Sequence, residues 1–359
     1  MTDSEGEMAA TGMVPADKAG YVLQRATGTL PEGAAKLASE IGAVGVATVL
    51  ARGNRTAVRR GATAALGTMR PRPAEWYAFD PKDQDTPDWY PQGLTGDEDS
   101  GSAGVPVFVV SWYFKPEPPA AERGVRVTFL SPRTLKYQHA LLVEARPDGS
   151  YGPIDIHAGG VAWYADLLYV ADTFRGLRVF DTRNILDLRT AQQDLGDPAR
   201  VGRHGGRLHA FGYRYVIPQT DAWRLAQRLA QRGPRFSFAA IDRTTTPHTL
   251  ISGEYADTSR DRLVVRWDLA EDGTLADGTP RDAHVLGHAK IQGALSSGGT
   301  WYLSQAADAR TNGKLIVQGD GDATTRPFPI GPEDLTVRDG RLWSVTEFRD
   351  KRVVFGVAL

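Results

Sequence analysis

Ten positions carry side chains that could do chemistry together. Short runs rich in Val, Tyr, Trp and Phe recur along the chain as strand, tight turn, strand, and the copies can be laid over one another. At the start of the first run of each copy stand Gln92, His157, Ser237, Gln292 and Glu333; at the end of the second run stand Trp112, Asp172, Glu254, Gln305 and Glu347. Nine of the ten are polar in runs that are otherwise apolar, and burying polar groups costs free energy unless they are paired or wet. If equivalent positions of the copies face one axis, they form a funnel with one imidazole, several carboxylates and amides, and an aromatic wall at Trp112. Carboxylates crowded together repel, which raises one pKa and lowers another, as acid/base catalysis requires. Glu254, Glu333, Asp172 and His157 are the expected catalytic groups, because His titrates near neutrality and the acids can trade protons. Gln92, Trp112, Ser237, Gln292, Gln305 and Glu347 are the expected substrate-binding set. Arg175, Arg260 and Arg349 follow the second runs and could steer an anion, although rim arginines are usually solvated. Water filling an otherwise inert channel remains the competing explanation for the whole set.

The elements that must position these residues begin near residue 76. HAGGVAWYADLLYVADTFRGLRVFDTRNI from His157, IQGALSSGGTWYLSQ with GKLIVQGD from Ile291, and PEDLTVRDGRLWSVTEFRDKRVVFGVAL from Pro332 are the clearest copies. PQGLTG at Pro91, followed by VFVVSWYF and GVRVTFL, is a fourth, and FSFAAIDRTTTPHTLISGEYAD with RLVVRWDL from Phe236 is a fifth, weaker one. HALLVEA, FGYRYVIPQTDAW, AHVLGH and the stretch from Arg326 to Ile330 supply outer strands. The last copy has only three strands, and Glu75 to Phe79 is the expected fourth, closing a ring so that no sheet edge is left open. The fold class expected is all-β, a β-propeller over 75–359 with five blades, or six if FGYRYVIPQTDAW opens a blade of its own.

The copies resemble a set of bacterial propeller proteins that carry HAGG-, GLRVFD- and PEDL-like strings, over roughly residues 76–359. That resemblance implies the fold and no activity. Five-bladed propellers include glycoside hydrolases, which use separated carboxylates; by analogy of fold alone, Asp172, Glu254 and Glu333 would be the acids.

Composition narrows the function classes. The 359 residues include 42 Lys+Arg and 43 Asp+Glu, a net charge of −1, which argues against a general nucleic-acid binder and against a polybasic membrane-surface protein. The absence of cysteine excludes disulfides, thiolate metal sites and Cys nucleophiles. No GxSxG elbow and no HExxH spacing occurs. No metal site is expected, and no cofactor; a divalent cation held by His157 with Glu333 or the glutamines is the minor alternative. Residues 1–28 are expected to be poorly ordered. Residues 29–74 are expected to be helical, with one helix from Leu30 to about Arg52, weakened by Gly42 and Gly45, and a second over Thr56 to Leu66. TDAWRLAQRLAQRG (220–233) reads as a basic amphipathic stretch capping the ring. The N-terminal residues carry acids and no base, unlike a secretion signal, so the expected location is cytoplasmic, with a secreted protein as the alternative. The functional expectation is a monomeric propeller enzyme acting on a polar small molecule or sugar by hydrolysis or elimination. A non-catalytic sugar or metabolite binder and a protein-interaction scaffold are the alternatives.

Overall fold

In the computed structural model, residues 12–116, 122–226 and 234–359 are described. The runs pair as antiparallel units of four strands. The first unit is Trp89–Gly96, Phe108–Phe114, Val125–Leu130 and Lys136–Ala145. The second is Ala158–Tyr164, Leu167–Asp172, Gly176–Asp181 and Tyr215–Leu225. Phe236–Asp242, Thr249–Glu254, Leu263–Leu269 and Leu275–Val285 form the third. Ile291–Ser297, Thr300–Gln305, Lys314–Gln318 and Thr324–Pro327 form the fourth. The last unit joins Pro332–Arg338, Arg341–Thr346 and Val353–Ala358 to Glu75–Ala78. The first strands of the units touch one another in cyclic order, the last against the first, so the chain is an all-β propeller. Tyr215–Leu225 pairs with Gly176–Asp181 as an outer strand and opens no unit of its own.

Local sequence explains the hairpins. Between the first two strands of the fourth unit, Gly298 and Gly299 both take positive φ, 59° and 82°, the type I′ geometry whose twist matches that of the strands it joins. Ring closure follows the expected pairing, Val353 opposite Ala78 and Phe355 opposite Trp76. Large apolar side chains fill the spaces between neighbouring units; Phe108, Trp112 and Trp343, each almost wholly buried, pack with Tyr77 of the closing strand.

The N-terminal portion differs from expectation in three ways. The helix that opens at Leu30 stops at Ile41, where Gly42 takes φ 86°, and a short second helix covers Val46–Ala51, so the two glycines break what was read as one helix. From Arg55 the chain is strand, not helix: Arg55–Thr56 pairs with Lys136 and Tyr137, and Val58–Arg59 with Tyr77 and Ala78. Residues 12–28 are also not loose. Val14–Pro15 adds to the third unit and Leu23–Arg25 to the second, with Tyr21 and Leu23 buried between them. Their apolar side chains cover a seam that would otherwise be wet, a contribution that local composition does not reveal. The amphipathic reading of 220–233 fails up to Leu225, which is strand, and residues 227–233 lie outside the described residues. Among the described residues no helix is long and apolar enough to cross a membrane.

Candidate functional site

Every first strand carries a β-bulge near its start. The register skips between Pro91 and Gly93, Ala158 and Val161, Phe236 and Phe238, Ile291 and Gly293, and Pro332 and Leu335. A bulge adds a residue on one strand, breaks the ladder there and re-aims a side chain. The bulge residues are Gln92, Gly159 with Gly160, Ser237, Gln292, and Glu333 with Asp334, so four of the five first-strand candidates sit on bulges. Buried serines of the second strands serve the interrupted ladder: Ser111 Oγ accepts from Gly93 N at 2.9 Å, Ser252 Oγ donates to Phe238 O at 2.7 Å and Ser344 Oγ to Glu333 O at 3.2 Å. The first strands converge so closely that a Cβ on Gly160 would lie 2.2 Å from Ala239 N and 2.4 Å from Asp334 Oδ2.

Two carboxyl groups occupy one mouth of the ring, each capped by a glutamine. Gln292 Nε2 donates to Glu333 Oε1 at 3.0 Å, and Gln92 Nε2 donates to Glu347 Oε2 at 3.1 Å. Glu333 is 2% exposed. Burial raises its pKa well above the ordinary carboxylate range, and the negative charges of Glu347 and Asp334 raise it further. Glu347 is half-buried; desolvation lifts it to about 7 against the opposing influence of Gln92, Lys115 and Arg352. Beneath them, fully buried Asp334 is raised by desolvation, although the backbone amides of Val161, Leu335, Ala239 and Leu94 favour its charged form; its Oδ1 has no hydrogen-bond partner among the described residues. Tyrosines form the wall. The Tyr113 ring lies 4.0 Å from His157 and 5.6 Å from Tyr90, centroid to centroid. Burial and then the nearby glutamates push the Tyr113 hydroxyl upward, and Tyr255 is raised by burial and by the Asp257, Glu333 and Glu347 charges. His157 is exposed; desolvation, Lys115 and Arg235 lower it to about 4.

The remaining candidates lie elsewhere, for a reason of register. Trp112, Asp172, Glu254, Gln305 and Thr346 are the equivalent second-strand ends, each opposite the residue before its bulge. Glu347 was aligned with that set but is one residue past it, with Tyr113 and Tyr255 as its true equivalents. Side chains alternate along a strand, so this single step separates the mouth from the flanks. Trp112 is buried against Phe79 and gives its indole N–H to Thr128 Oγ1 at 2.8 Å. Asp172 pairs with Arg178 Nε at 2.9 Å. Glu254 accepts from Tyr21 OH at 2.8 Å and from the amides of Arg235 and Leu263, which makes it an anchor for the N-terminal segment. Gln305 Nε2 donates to Ala289 O at 2.9 Å. Ser237 stays on its bulge, half-buried, its backbone packed on Gly159. His157 stands two residues before the position equivalent to Gln92, which is Gly159. Arg349 pairs with Asp85 on the surface. Missed in the sequence were Tyr90, Tyr113, Tyr255 and Lys115; tyrosine directly after two of the second-strand ends was the available signal.

One other constellation has hydrolase residue types. Thr128 Oγ1 lies 2.7 Å from His139 Nδ1, and His139 Nε2 lies 3.1 Å from Asp83. All three side chains are almost wholly sealed from solvent. Because Thr128 Oγ1 already accepts from Trp112, its own proton goes to Nδ1 and the imidazole donates to Asp83 from Nε2. Desolvation and Arg126 lower His139 to about 4, which keeps it neutral. No substrate reaches this group, so it is structural. Among the described residues no three His, Asp or Glu side chains are grouped to hold a metal ion.

The raised pKa of Glu347 has a measurable consequence for stability. Its folded value, about 7, lies above the ordinary 4.5, so the native state binds the proton more tightly than the unfolded chain. That contribution is fully present below the unfolded value and is lost as pH rises through the folded one. Glu347→Gln is therefore expected to leave stability unchanged near the lower bound and to raise it by about 2 kcal/mol once pH passes the upper one, after a discount for partial exposure. Urea unfolding of both proteins across this pH range measures the gap; a gap independent of pH would show that the carboxyl is not perturbed.

No family model matches the chain, and no curated protein matches it. Several solved structures overlay on it loosely. A GH43 enzyme of Xanthomonas citri shares 9% identity at a TM-score of 0.37, covering 90% of this chain and 92% of its own. The RS223 β-xylosidase shares 10% at 0.37, covering 75% and 91%. Hydrazine synthase of Kuenenia stuttgartiensis shares 12% at 0.34, covering 73% and 75%. Overlays this loose assign neither a family nor an activity.

Proposed function

We propose that the chain is a hydrolase that acts by acid/base catalysis on a polar small molecule, a glycoside above all, bound in the mouth lined by Glu333 and Glu347. The observation that carries this reading is the pair of glutamine-capped carboxyls whose surroundings raise their proton affinities. Glu333, whose burial favours the protonated form, donates its proton to the leaving oxygen as that bond breaks. Glu347, the more readily ionised, takes a proton from water or attacks carbon itself. Tyr90 and Tyr255, both half-buried, offer faces on which a sugar ring can stack, with Tyr113 packed behind Tyr90, and the glutamines orient hydroxyls.

The stacked tyrosines and amides also suit a sugar-binding protein without turnover. A panel of chromogenic glycosides and oligosaccharides, followed for release of the leaving group and separately for binding, distinguishes the two. The expected result is turnover that falls at high pH as Glu333 ionises. Binding without turnover across the panel would leave the binding module, and neither binding nor turnover would remove the site.

A further inference from the structure

We infer that the opposite end of the ring holds a second ligand site, built for a small zwitterion such as a free α-amino acid. A cavity of about 320 Å³ opens where the first strands end, beneath the short helix Asp97–Ser100. That volume is at the small end of pockets that hold metabolites. Asp99 forms part of its lining and is 3% exposed. Its Oδ2 accepts from Thr95 Oγ1 at 2.7 Å and Thr336 Oγ1 at 2.6 Å. No donor among the described residues reaches Oδ1, and the residue lines the cavity. Arg243 lines the same space. Its Nη1 donates to the Asp99 carbonyl at 2.7 Å and its guanidinium carbon lies 5.4 Å from the Tyr164 ring centroid, which fixes the group without neutralising it.

An acceptor carboxyl and a fixed guanidinium thus line the same cavity. An α-amino acid carries an ammonium and a carboxylate on one carbon, the first for Asp99 and the second for Arg243. Ile241 and Val337 offer an apolar wall for a side chain, and Ser297 stands at the rim. None of these residues takes part in the mouth at Glu333, so this inference does not depend on the function proposed there.

Calorimetric titration of the full chain with alanine, serine and valine tests it, above the value of about 7 to which burial raises Asp99. N-acetylalanine, which lacks the ammonium, and alanine amide, which lacks the carboxylate, are the controls. The free amino acids are expected to bind, and each control to bind at least about tenfold more weakly. Asp99→Asn and Arg243→Met are each expected to lose about tenfold or more in affinity. Ser297→Phe, which fills the cavity from its rim and leaves both charged groups in place, is expected to abolish binding without lowering the melting temperature. Equal binding of the controls, affinity retained in Ser297→Phe, or no binding of any amino acid would overturn the proposal.

Discussion

Glu333→Gln is expected to reduce turnover by a factor of about 10² to 10⁴ while leaving the folded protein at least as stable as before. The glutamine amide matches the carboxylic acid in shape, and its oxygen can still accept from Gln292, which now donates at 3.0 Å. What it lacks is an acidic proton. Wild-type Glu333 is buried next to Glu347 and Asp334, so deprotonating it places a charge in a confined, poorly solvated space that already holds two other acids. A neutral amide avoids that cost, most of all at alkaline pH. The measurements are kcat on the best substrate of the panel and a melting curve of the same preparation. A substrate whose leaving group needs no protonation should recover much of the lost rate, which separates loss of an acid from loss of shape. Full activity in the variant would remove Glu333 from the chemistry, and unfolding of the variant would make it a structural residue.

Asp83→Ala is expected to cost about 3–5 kcal/mol of stability, the largest effect of any single substitution considered, without touching the mouth. Asp83 lies in the connection between the closing strand Glu75–Ala78 and the first strand of the ring. Its carboxylate accepts from Arg126 Nη2 at 2.9 Å, Tyr137 OH at 2.6 Å and His139 Nε2 at 3.1 Å, and forms an ion pair with Arg55, whose Nε lies 3.1 Å away. Burial alone would raise its pKa, but the hydrogen bond from neutral His139 and the charge of Arg126 hold it far below the usual range. The alanine variant leaves the Arg126 guanidinium buried between Trp89 and Trp112, at 4.5 and 4.6 Å from their rings, without its counter-charge. Chemical denaturation measures the loss. A shift under about 1 kcal/mol would mean that water enters and solvates Arg126, so that the pair contributes little.

The ring and its closure could be read from the sequence because both depend on strand-length patterns repeated several times. The expectation that Glu75 to Phe79 completes the last unit rested on a missing fourth strand, and pairing of Val353–Ala358 with Glu75–Ala78 bears it out. Gln92, Gln292 and Glu333 were legible because polar residues recur there at the same offset. The second-strand half of the site was not, because period-two alternation makes an error of one position equivalent to choosing the wrong face. Trp112 and Glu254 were read as facing the funnel, whereas their successors Tyr113 and Tyr255 stand beside the glutamates. Tyr21 binding Glu254 across 233 positions has no local signature at all, so an anchoring carboxylate looked catalytic. The buried serines of the second strands were equally inconspicuous. A serine declares nothing until the bulge that needs its hydroxyl is seen.

Closure of the ring by Glu75–Ala78 also sets an order of events during synthesis. This strand leaves the ribosome early, and its partner Val353–Ala358 follows about 275 residues later. Until then the early strand has only the short Val58–Arg59 beside it, and the growing arc ends in an unpaired edge that can recruit another chain. Bringing such distant segments together costs about 5 kcal/mol of loop entropy, repaid only when the final strand docks. A nascent chain halted anywhere before Val353 is therefore an open, adhesive arc, and the final strand to emerge converts it into a closed ring.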